Sequence, residues 1–313
     1  MAVKRLRGLL SDQQISTFTA EASIMADIRH PNVVMFLGFC PLPPMLVMEY
    51  MWQGSVRSIL SNEKQKLRSR LYLRFLVDGA KGMVSLHVGV LERSPECASK
   101  RLLERSLERS REQHCISPPH RTSPPNPNHP QQHNPPVIHC DLKSLNLLVN
   151  ESWVVKVSDF GLSSIQSLSL SEGDASRLQR EQDELDKTGS GKVEDDEVGD
   201  MVGSLIWCAP EILLGERPDM ASDVYAFGVI MFEILTLKMP FAEMNANAIP
   251  MAVTDGVRPS DNLDDSVMMR DNCLAKLIPL MELCWHQVPA QRPSFREILK
   301  ILSDTGAKEF SSQ

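Results

Sequence analysis

Thirteen residues, Ile138-His139-Cys140-Asp141-Leu142-Lys143-Ser144-Leu145-Asn146-Leu147-Leu148-Val149-Asn150, constrain the fold more than any other feature of the chain. Four residues later comes a second string, Val155-Lys156-Val157-Ser158-Asp159-Phe160-Gly161. The first sets a carboxylate, an ammonium and an amide at Asp141, Lys143 and Asn146, between short β-branched runs that read as strand ends. Asn150-Glu151-Ser152 is turn chemistry, and the alternating Val155 and Val157 predict a returning strand. That strand leads to a second carboxylate, Asp159, closed by Gly161. The spacing predicts a hairpin with polar groups clustered at its ends.

Phosphoryl transfer needs this set: a carboxylate to take the proton of the attacking hydroxyl, and oxygen ligands for Mg2+. The two strings, in this order and spacing, resemble the H-R-D-L-x-x-x-N and D-F-G pattern of the eukaryotic protein kinases. The resemblance implies that Asp141 is the base or orienter, that Lys143 stabilises charge on the transferred phosphate, and that Asn146 and Asp159 bind metal. ATP and Mg2+ are the implied cofactors.

The rest of the chain can be placed around these strings. Ala2-Val3-Lys4 reads as the end of a strand. Phe18, Ala22, Met25 and Ile28 recur at helical period, which predicts a helix over 12–29. Glu21 lies on that stripe, where a carboxylate facing a core needs a cation; taken alone it reads as a solvated residue at the stripe's edge. Within the resemblance, Lys4 holds the α- and β-phosphates and Glu21 pairs with it. His30-Pro31-Asn32-Val33-Val34-Met35-Phe36-Leu37-Gly38 matches the kinase segment after that helix. Leu46-Val47-Met48-Glu49-Tyr50-Met51 resembles the strand entering the hinge. Met48 then takes the gatekeeper position, backbone groups near Glu49 and Met51 bond adenine, and Ala2 and Leu148 complete the cofactor-contacting set.

Leu73, Leu76, Ala80, Met83 and His87 predict a long helix of the carboxyl lobe. Ser222 to Gly228 opens a helix apolar on nearly all sides, which belongs in the centre of a core. The resemblance implies that Asp223 holds the catalytic-loop backbone and that Arg292 pairs with Glu211, both as scaffolding charges. Ser204 takes the place of a hydroxyl that bonds the catalytic aspartate and lysine. Together with Asp141-Leu142-Lys143, it favours serine/threonine transfer. The combination is most similar to the tyrosine-kinase-like group, which includes the Raf and mixed-lineage kinases.

Two segments interrupt this pattern. Residues 88–136 carry three Leu-Glu-Arg-Ser copies, at Leu91, Leu103 and Leu107, and then eight prolines between Ser117 and Pro136. Such a composition buries too little apolar surface to offset its chain entropy. It holds four of the eight histidines, but no Cys/His spacing matches a zinc pattern. The second interruption, 164–202, is rich in Ser, Asp and Glu and reads as a solvated acidic loop or a phosphorylatable docking loop. Residues 171–200 hold 11 acids and 4 bases, a balance of −7 that equals the net charge of the whole chain. The body is therefore neutral, and nucleic-acid binding has no electrostatic footprint.

Seven cysteines without a C-x-x-C pair suit a reduced, cytoplasmic protein. No apolar stretch reaches the roughly 18–20 residues of a membrane span; the run from Val224 to Leu235 contains Glu233.

The expected architecture is an α+β, two-lobed protein kinase fold with a truncated amino lobe and a mainly helical carboxyl lobe. The segments are 1–48 for the partial amino lobe, 49–87 for the hinge and first helices, 88–136 for the insertion, 137–303 for the remaining carboxyl lobe, and 304–313 for a tail. Two departures from the family pattern stand out. The chain starts at the lysine strand, so the glycine-rich loop is expected to be missing. Cys140 replaces the arginine that pairs with an activation-loop phosphate, so activity should depend little on phosphorylation of Ser164, Ser167, Ser169 or Ser171. The expected partners are ATP and protein substrates, with further proteins reached through the acidic and proline-rich insertions. The alternative is a kinase-fold scaffold without turnover; metal-dependent hydrolysis would need more than two visible ligands.

Overall fold

Period-2 alternation shapes the amino-terminal part, where Ala2 and Lys4 are half-buried and Val3 and Arg5 exposed. The computed structural model describes residues 1–5, 22, 25–26, 28–41, 44–62, 67–88, 136–160, 204–259 and 272–310. Glu21, Phe18, Gly161, most of both interruptions and the four serines named above lie outside the described residues.

Strand β1 (Ala2–Arg5) pairs antiparallel with β3 (Pro44–Met48), which pairs with β2 (Phe36–Pro41), giving the order β1-β3-β2. Phe36, Phe39 and Leu46 are buried in company with Ala22, Met25, Ala26 and Ile28, as the apolar stripe requires. The expected helix over 12–29 ends earlier. Ala22, Met25 and Ala26 are helical, whereas Ile28 and Arg29 have left the helix. Pro31 sets only an outer limit, because it disfavours helical geometry at His30, two residues beyond that end.

A second sheet, β4 (Gly54–Ser55), β5 (Leu147–Val149) and β6 (Val155–Val157), runs in that order and is antiparallel throughout. The β5–β6 turn is closed by Asn150, whose side-chain oxygen accepts from the amides of Ser152 at 3.0 Å and Val154 at 2.9 Å. The segment 32–34 stitches the amino-terminal part to β6: Val157 N donates to Asn32 O at 2.9 Å, and Val34 N to Val157 O at 2.8 Å. Asn32 adds a side-chain bond to Val155 O at 2.9 Å.

The rest is helical. Helix α1 (Val56–Leu60) starts at Ser55, whose hydroxyl accepts from Ser58 N. Helix α2 (Ser69–Val88) buries Leu73, Leu76, Ala80 and Met83 of the predicted stripe and leaves its last member, His87, half-buried. Gly82 lies on its face against Asn32 and β6, where a Cβ would force the neighbouring backbone to shift. Next come α3 (Pro210–Leu213) and α4 (Met220–Thr236), the latter begun by an Asp219–Ser222 capping box. Every residue of α4 from Ser222 to Leu235 is buried, including Asp223 and Glu233. Its Gly228 lets α4 approach the end of α7 (Ile278–Cys284), where a Cβ would stand 3.0 Å from Trp285 N.

Helices α5 (Ile249–Thr254) and α6 (Asn272–Ala275) lie between, and α8 (Phe295–Phe310) packs on α2. The tail boundary expected after residue 303 falls inside α8, which continues to Phe310 as one helix. Small sheets with a mainly helical carboxyl-terminal part make the chain α+β, as expected. Among the described residues, no helix is long and apolar enough to cross a membrane.

Candidate active site

The catalytic loop is shaped from beneath by α4. Asp223, in the first turn of that helix, accepts the amides of His139 at 2.8 Å and Cys140 at 3.0 Å. His87, at the end of α2, brings Nε2 to 2.9 Å from the same carboxylate. This clamp holds Cys140 in the left-handed region, at φ 63, a conformation costing a non-glycine residue about 1 kcal/mol or more. The Cys140 thiol is pushed up to about 12, by desolvation of the sulfur first and then by the carboxylates of Asp223 and Asp141, although the residue as a whole is exposed. It stays a thiol and offers no cation. On the other side of the loop, His139 Nε2 lies 2.9 Å from Ser158 O, joining the loop to the end of β6.

Three of the expected residues meet at Asp141. Lys143 Nζ is 2.9 Å from Asp141 Oδ2 and donates to Ser204 Oγ at 2.7 Å. Asn146 Nδ2 donates to Asp141 O at 2.8 Å and to Asp141 Oδ2 at 3.2 Å. Ser204 was expected to bond both the aspartate and the lysine; the structure shows the bond to Lys143, whose ammonium also meets Asp141. Asn146 is tied in turn to the hairpin end, because Ser158 donates to its carbonyl from both N and Oγ, each at 2.9 Å.

Asp159 adopts φ 57 and takes the Lys4 ammonium at 2.8 Å on Oδ1. Lys4 was expected to pair with Glu21, which lies outside the described residues. What the structure places against Lys4 is the second carboxylate. On β1, Ala2 shares the half-buried face with Lys4 and stands opposite Met48 in register.

The segment after β3 carries a link with no counterpart in the local sequence pattern. Glu49 receives Lys156 Nζ at 2.7 and 2.8 Å on its two oxygens, and Oε1 also accepts from Met35 N at 2.7 Å. Lys156 is the middle residue of β6 and pairs in register with Leu148. The hinge side of the site is thereby bound to the strand that delivers Asp159. Met51, two residues after Glu49, is buried.

Further from the chemistry, Arg292 and Glu211 form the expected pair, with two parallel bonds of 2.6 and 2.8 Å. Two buried acids were missed. Asp78 of α2 accepts from Val155 N at 3.2 Å, and its carboxyl is raised mainly by burial. Glu233 of α4 accepts from Ser144 and Trp207 and is raised to about 7, mainly by burial. Asp78 and Glu233 could have been flagged as acids inside apolar helical runs, but only tertiary contacts name their partners.

The oxygen donors suit Mg2+. Asn146 spends its amide nitrogen on Asp141, so its Oδ1 is the atom left for a cation, and Asp159 has one carboxylate oxygen beyond the one Lys4 holds. Among the described residues, no group of three or more His, Cys, Asp or Glu could hold a metal ion by itself. A cation here would share its shell with phosphate oxygens, as Mg2+ does when it binds with a nucleotide.

Residues 131–302 match the protein kinase domain family, and residues 1–90 match the protein tyrosine and serine/threonine kinase family. The chain is 30% identical over 298 residues to a probable serine/threonine-protein kinase of Dictyostelium discoideum, covering 94% of this chain and 24% of that protein. It is 31% identical over 295 residues to the probable serine/threonine-protein kinase SIS8 of Arabidopsis thaliana, covering 94% and 21%. With the serine/threonine-protein kinase CTR1 of the same plant it shares 29% over 294 residues, covering 93% and 27%. The chain thus spans about a quarter of the length of these relatives. A protein kinase domain implies the use of ATP and a divalent metal, and protein substrates. On the matched residues and the geometry around Asp141, the chain belongs to the protein kinase domain family.

Proposed function

We propose that this domain transfers the γ-phosphate of ATP to serine and threonine hydroxyls of proteins. The observation that carries this reading is Lys143, whose ammonium joins Asp141 Oδ2 to the Ser204 hydroxyl. Asp141 Oδ2 is engaged by Lys143 and Asn146, so Oδ1 is the oxygen that accepts the proton of an incoming hydroxyl. Lys143 then lies beside the transferred phosphate and offsets its developing charge. Lys4 contributes a positive charge next to Asp159, where the nucleotide phosphates are to be held. Asn146 and Asp159 would hold Mg2+, which when bound neutralises phosphate charge. Met48, Glu49, Met51, Ala2 and Leu148 form the adenine side, and the Glu49–Lys156 pair keeps that side in register with Asp159. Glu21 is the further partner proposed for Lys4. The intact set of Asp141, Lys143, Asn146 and Asp159 weighs against a scaffold without turnover.

The finer placement in the tyrosine-kinase-like group rests on the loop motifs and is supported by the match of residues 1–90 to the mixed tyrosine and serine/threonine family. A cytoplasmic location is inferred from seven cysteines without a C-x-x-C pair. Protein partners are inferred for the two interruptions. For the first, Val137 N donates to Leu86 O at 2.9 Å, so the chain leaves and returns at one point without stretching the catalytic loop.

A thermal-shift titration tests the site, since a ligand that binds only the folded state raises its stability by mass action. Mg2+-ATP should stabilise the protein, and Asp159→Ala should abolish the Mg2+-dependent part. Asp141→Ala should keep nucleotide binding and lose transfer to a basic protein substrate. Equal stabilisation of the Asp159→Ala protein would refute the metal assignment.

A further inference from the structure

Leu145 is 46% exposed in the middle of the loop that carries Asp141, Lys143 and Asn146. Its direction follows from the short turn Ser144–Asn146, in which three residues complete one revolution and point three ways. Ser144 points inward and donates to Glu233 Oε1 at 2.8 Å. Asn146 turns to Asp141, with Nδ2 3.2 Å from Oδ2. Leu145 is left facing solvent. The Asp141 side chain is itself 37% exposed, so a polypeptide that brings a hydroxyl to it must pass over this surface.

The turn 144–146 packs against β4 and α1. Two residues before β4 comes Trp52, 69% exposed, whose ring meets that of Tyr50, 50% exposed, edge to face at 5.0 Å. Both rings stand on a fixed backbone: Gln53 N donates to Val149 O at 3.0 Å, and Gly54 N to Met51 O at 3.2 Å. Rings held this way lose little freedom when covered, and covering them removes apolar surface from water. Single exposed hydrophobic residues are ordinary. Three of them on segments packed together, continuous with Asp141, make an apolar surface at the mouth of the site.

The charges point the same way. From Tyr50 to Asn62, and from Leu142 to Asn150, the sequence holds no Asp or Glu, and its charges there are Arg57 and Lys143. Arg57 Nη1 lies 3.5 Å from Glu233 Oε1, and Lys143 is joined to Asp141 and Ser204. Glu49, just ahead of the first run, is held by Lys156. A basic side chain laid across these two segments would lose hydration and find no carboxylate in exchange. An apolar one would cover Leu145 and the Trp52 ring.

We propose that Leu145 and Trp52 are specificity-determining residues, selecting protein substrates in which an apolar side chain flanks the acceptor hydroxyl. The proposal rests on the transfer reading above and names the substrate class of that site. The occupant of the surface is the substrate segment itself, because the surface is continuous with the aspartate that takes the hydroxyl.

The test uses the whole chain and synthetic peptides of alanine and glycine around one serine. Leucine, phenylalanine or arginine is placed in turn at each of four positions on either side of the serine. At one position or more, leucine or phenylalanine should raise kcat/KM at least tenfold over arginine, the order of effect a hydrophobic contact supplies. Leu145→Glu should reverse the order there, so that arginine is favoured, with KM for ATP changed less than twofold. A role confined to loop structure would lower all peptides alike and reverse nothing. Trp52→Ala should cut the apolar preference at least threefold without creating one for arginine. If Leu145→Glu fails to fold, Leu145→Ser serves, and it should abolish the preference.

Equilibrium binding supplies a readout free of activity. Fluorescein-labelled leucine and arginine peptides are titrated with the protein in the presence of Mg2+-ADP and followed by anisotropy. The leucine peptide should bind at least fivefold tighter, and Leu145→Glu or Leu145→Ser should remove the difference. Equal kcat/KM for leucine and arginine at every position would overturn the proposal. So would an unchanged preference in the Leu145 variant or in Trp52→Ala. If the wild-type chain transfers phosphate to no protein or peptide, the transfer reading fails, and the binding ratio alone decides whether this surface selects apolar segments.

Discussion

Gly82→Ala sets two effects of opposite sign against each other. Alanine in a helix interior is favoured over glycine by about 0.5–1 kcal/mol, so α2 taken alone would gain. The tertiary setting reverses this. A Cβ on Gly82 would stand 2.4 Å from the Asn32 carbonyl oxygen and 2.6 Å from Val157 Cγ2. A carbon rests against a carbonyl oxygen at roughly 3.3 Å, so α2 and the Asn32–Val157 strap must separate by about 1 Å. That oxygen already accepts Val157 N at 2.9 Å, and loss of this bond costs about 0.5–1.5 kcal/mol. Overpacking adds about 1–3 kcal/mol.

The net expectation for Gly82→Ala is a loss of about 2 kcal/mol, within about 1–4, or roughly 5 °C in Tm. Gly79→Ala, one turn earlier, is the control: its Cβ would meet Phe227 at 3.4 Å, an ordinary contact, so it should be neutral or stabilising by up to about 1 kcal/mol. Urea unfolding should show a lower midpoint for Gly82→Ala at unchanged slope. Val157 is two residues from Asp159, so Mg2+-ATP should also stabilise this variant less than wild type. If Gly82→Ala is as stable as Gly79→Ala, the helix yields freely and the close-approach reasoning is refuted.

Arg292→Met leaves the Glu211 carboxylate buried without its partner, so denaturant unfolding should show a loss of about 3–5 kcal/mol; adding Glu211→Gln should recover part of it. Tyr225 is fully buried between the guanidinium groups of Arg258 and Arg292, and its hydroxyl is the one buried side-chain polar atom without a partner among the described residues. Tyr225→Phe keeps both ring contacts and removes that atom, so it should be neutral or slightly stabilising in the same assay. Glu233 titrates near 7 in the folded chain and near 4.5 when unfolded, so the folded state binds the extra proton between those values. Its contribution to stability is therefore present below about pH 4.5 and is lost as pH rises toward 7, by about 3 kcal/mol in all. The stability difference between Glu233→Gln and wild type should grow in the variant's favour across that window; a difference independent of pH would show that Glu233 is not the titrating group.

Local chemistry was enough to place the elements that carry their own signals. The β5–β6 hairpin follows from alternating valines around an Asn turn, the amino-terminal strand from Ala2-Val3-Lys4, and α2 and α4 from their apolar periodicity. The residues gathered at Asp141 were legible for the same reason: Asp141, Lys143 and Asn146 lie within six residues, so one loop brings them together whatever surrounds it. Asp223, Glu211 and Arg292 were legible only through the family resemblance, since nothing near them in sequence states their partners.

What the tertiary structure alone decided is where charges separated in sequence come to rest. Lys4 meets Asp159 across 155 residues, Glu49 meets Lys156 across 107, and Glu233 meets Ser144 across 89. Periodicity and turn chemistry report on neighbours within a few residues, whereas a buried charge takes whichever donors the packed helices and strands deliver. The partner of such a charge is therefore settled by packing, and packing exists only once the whole chain has folded.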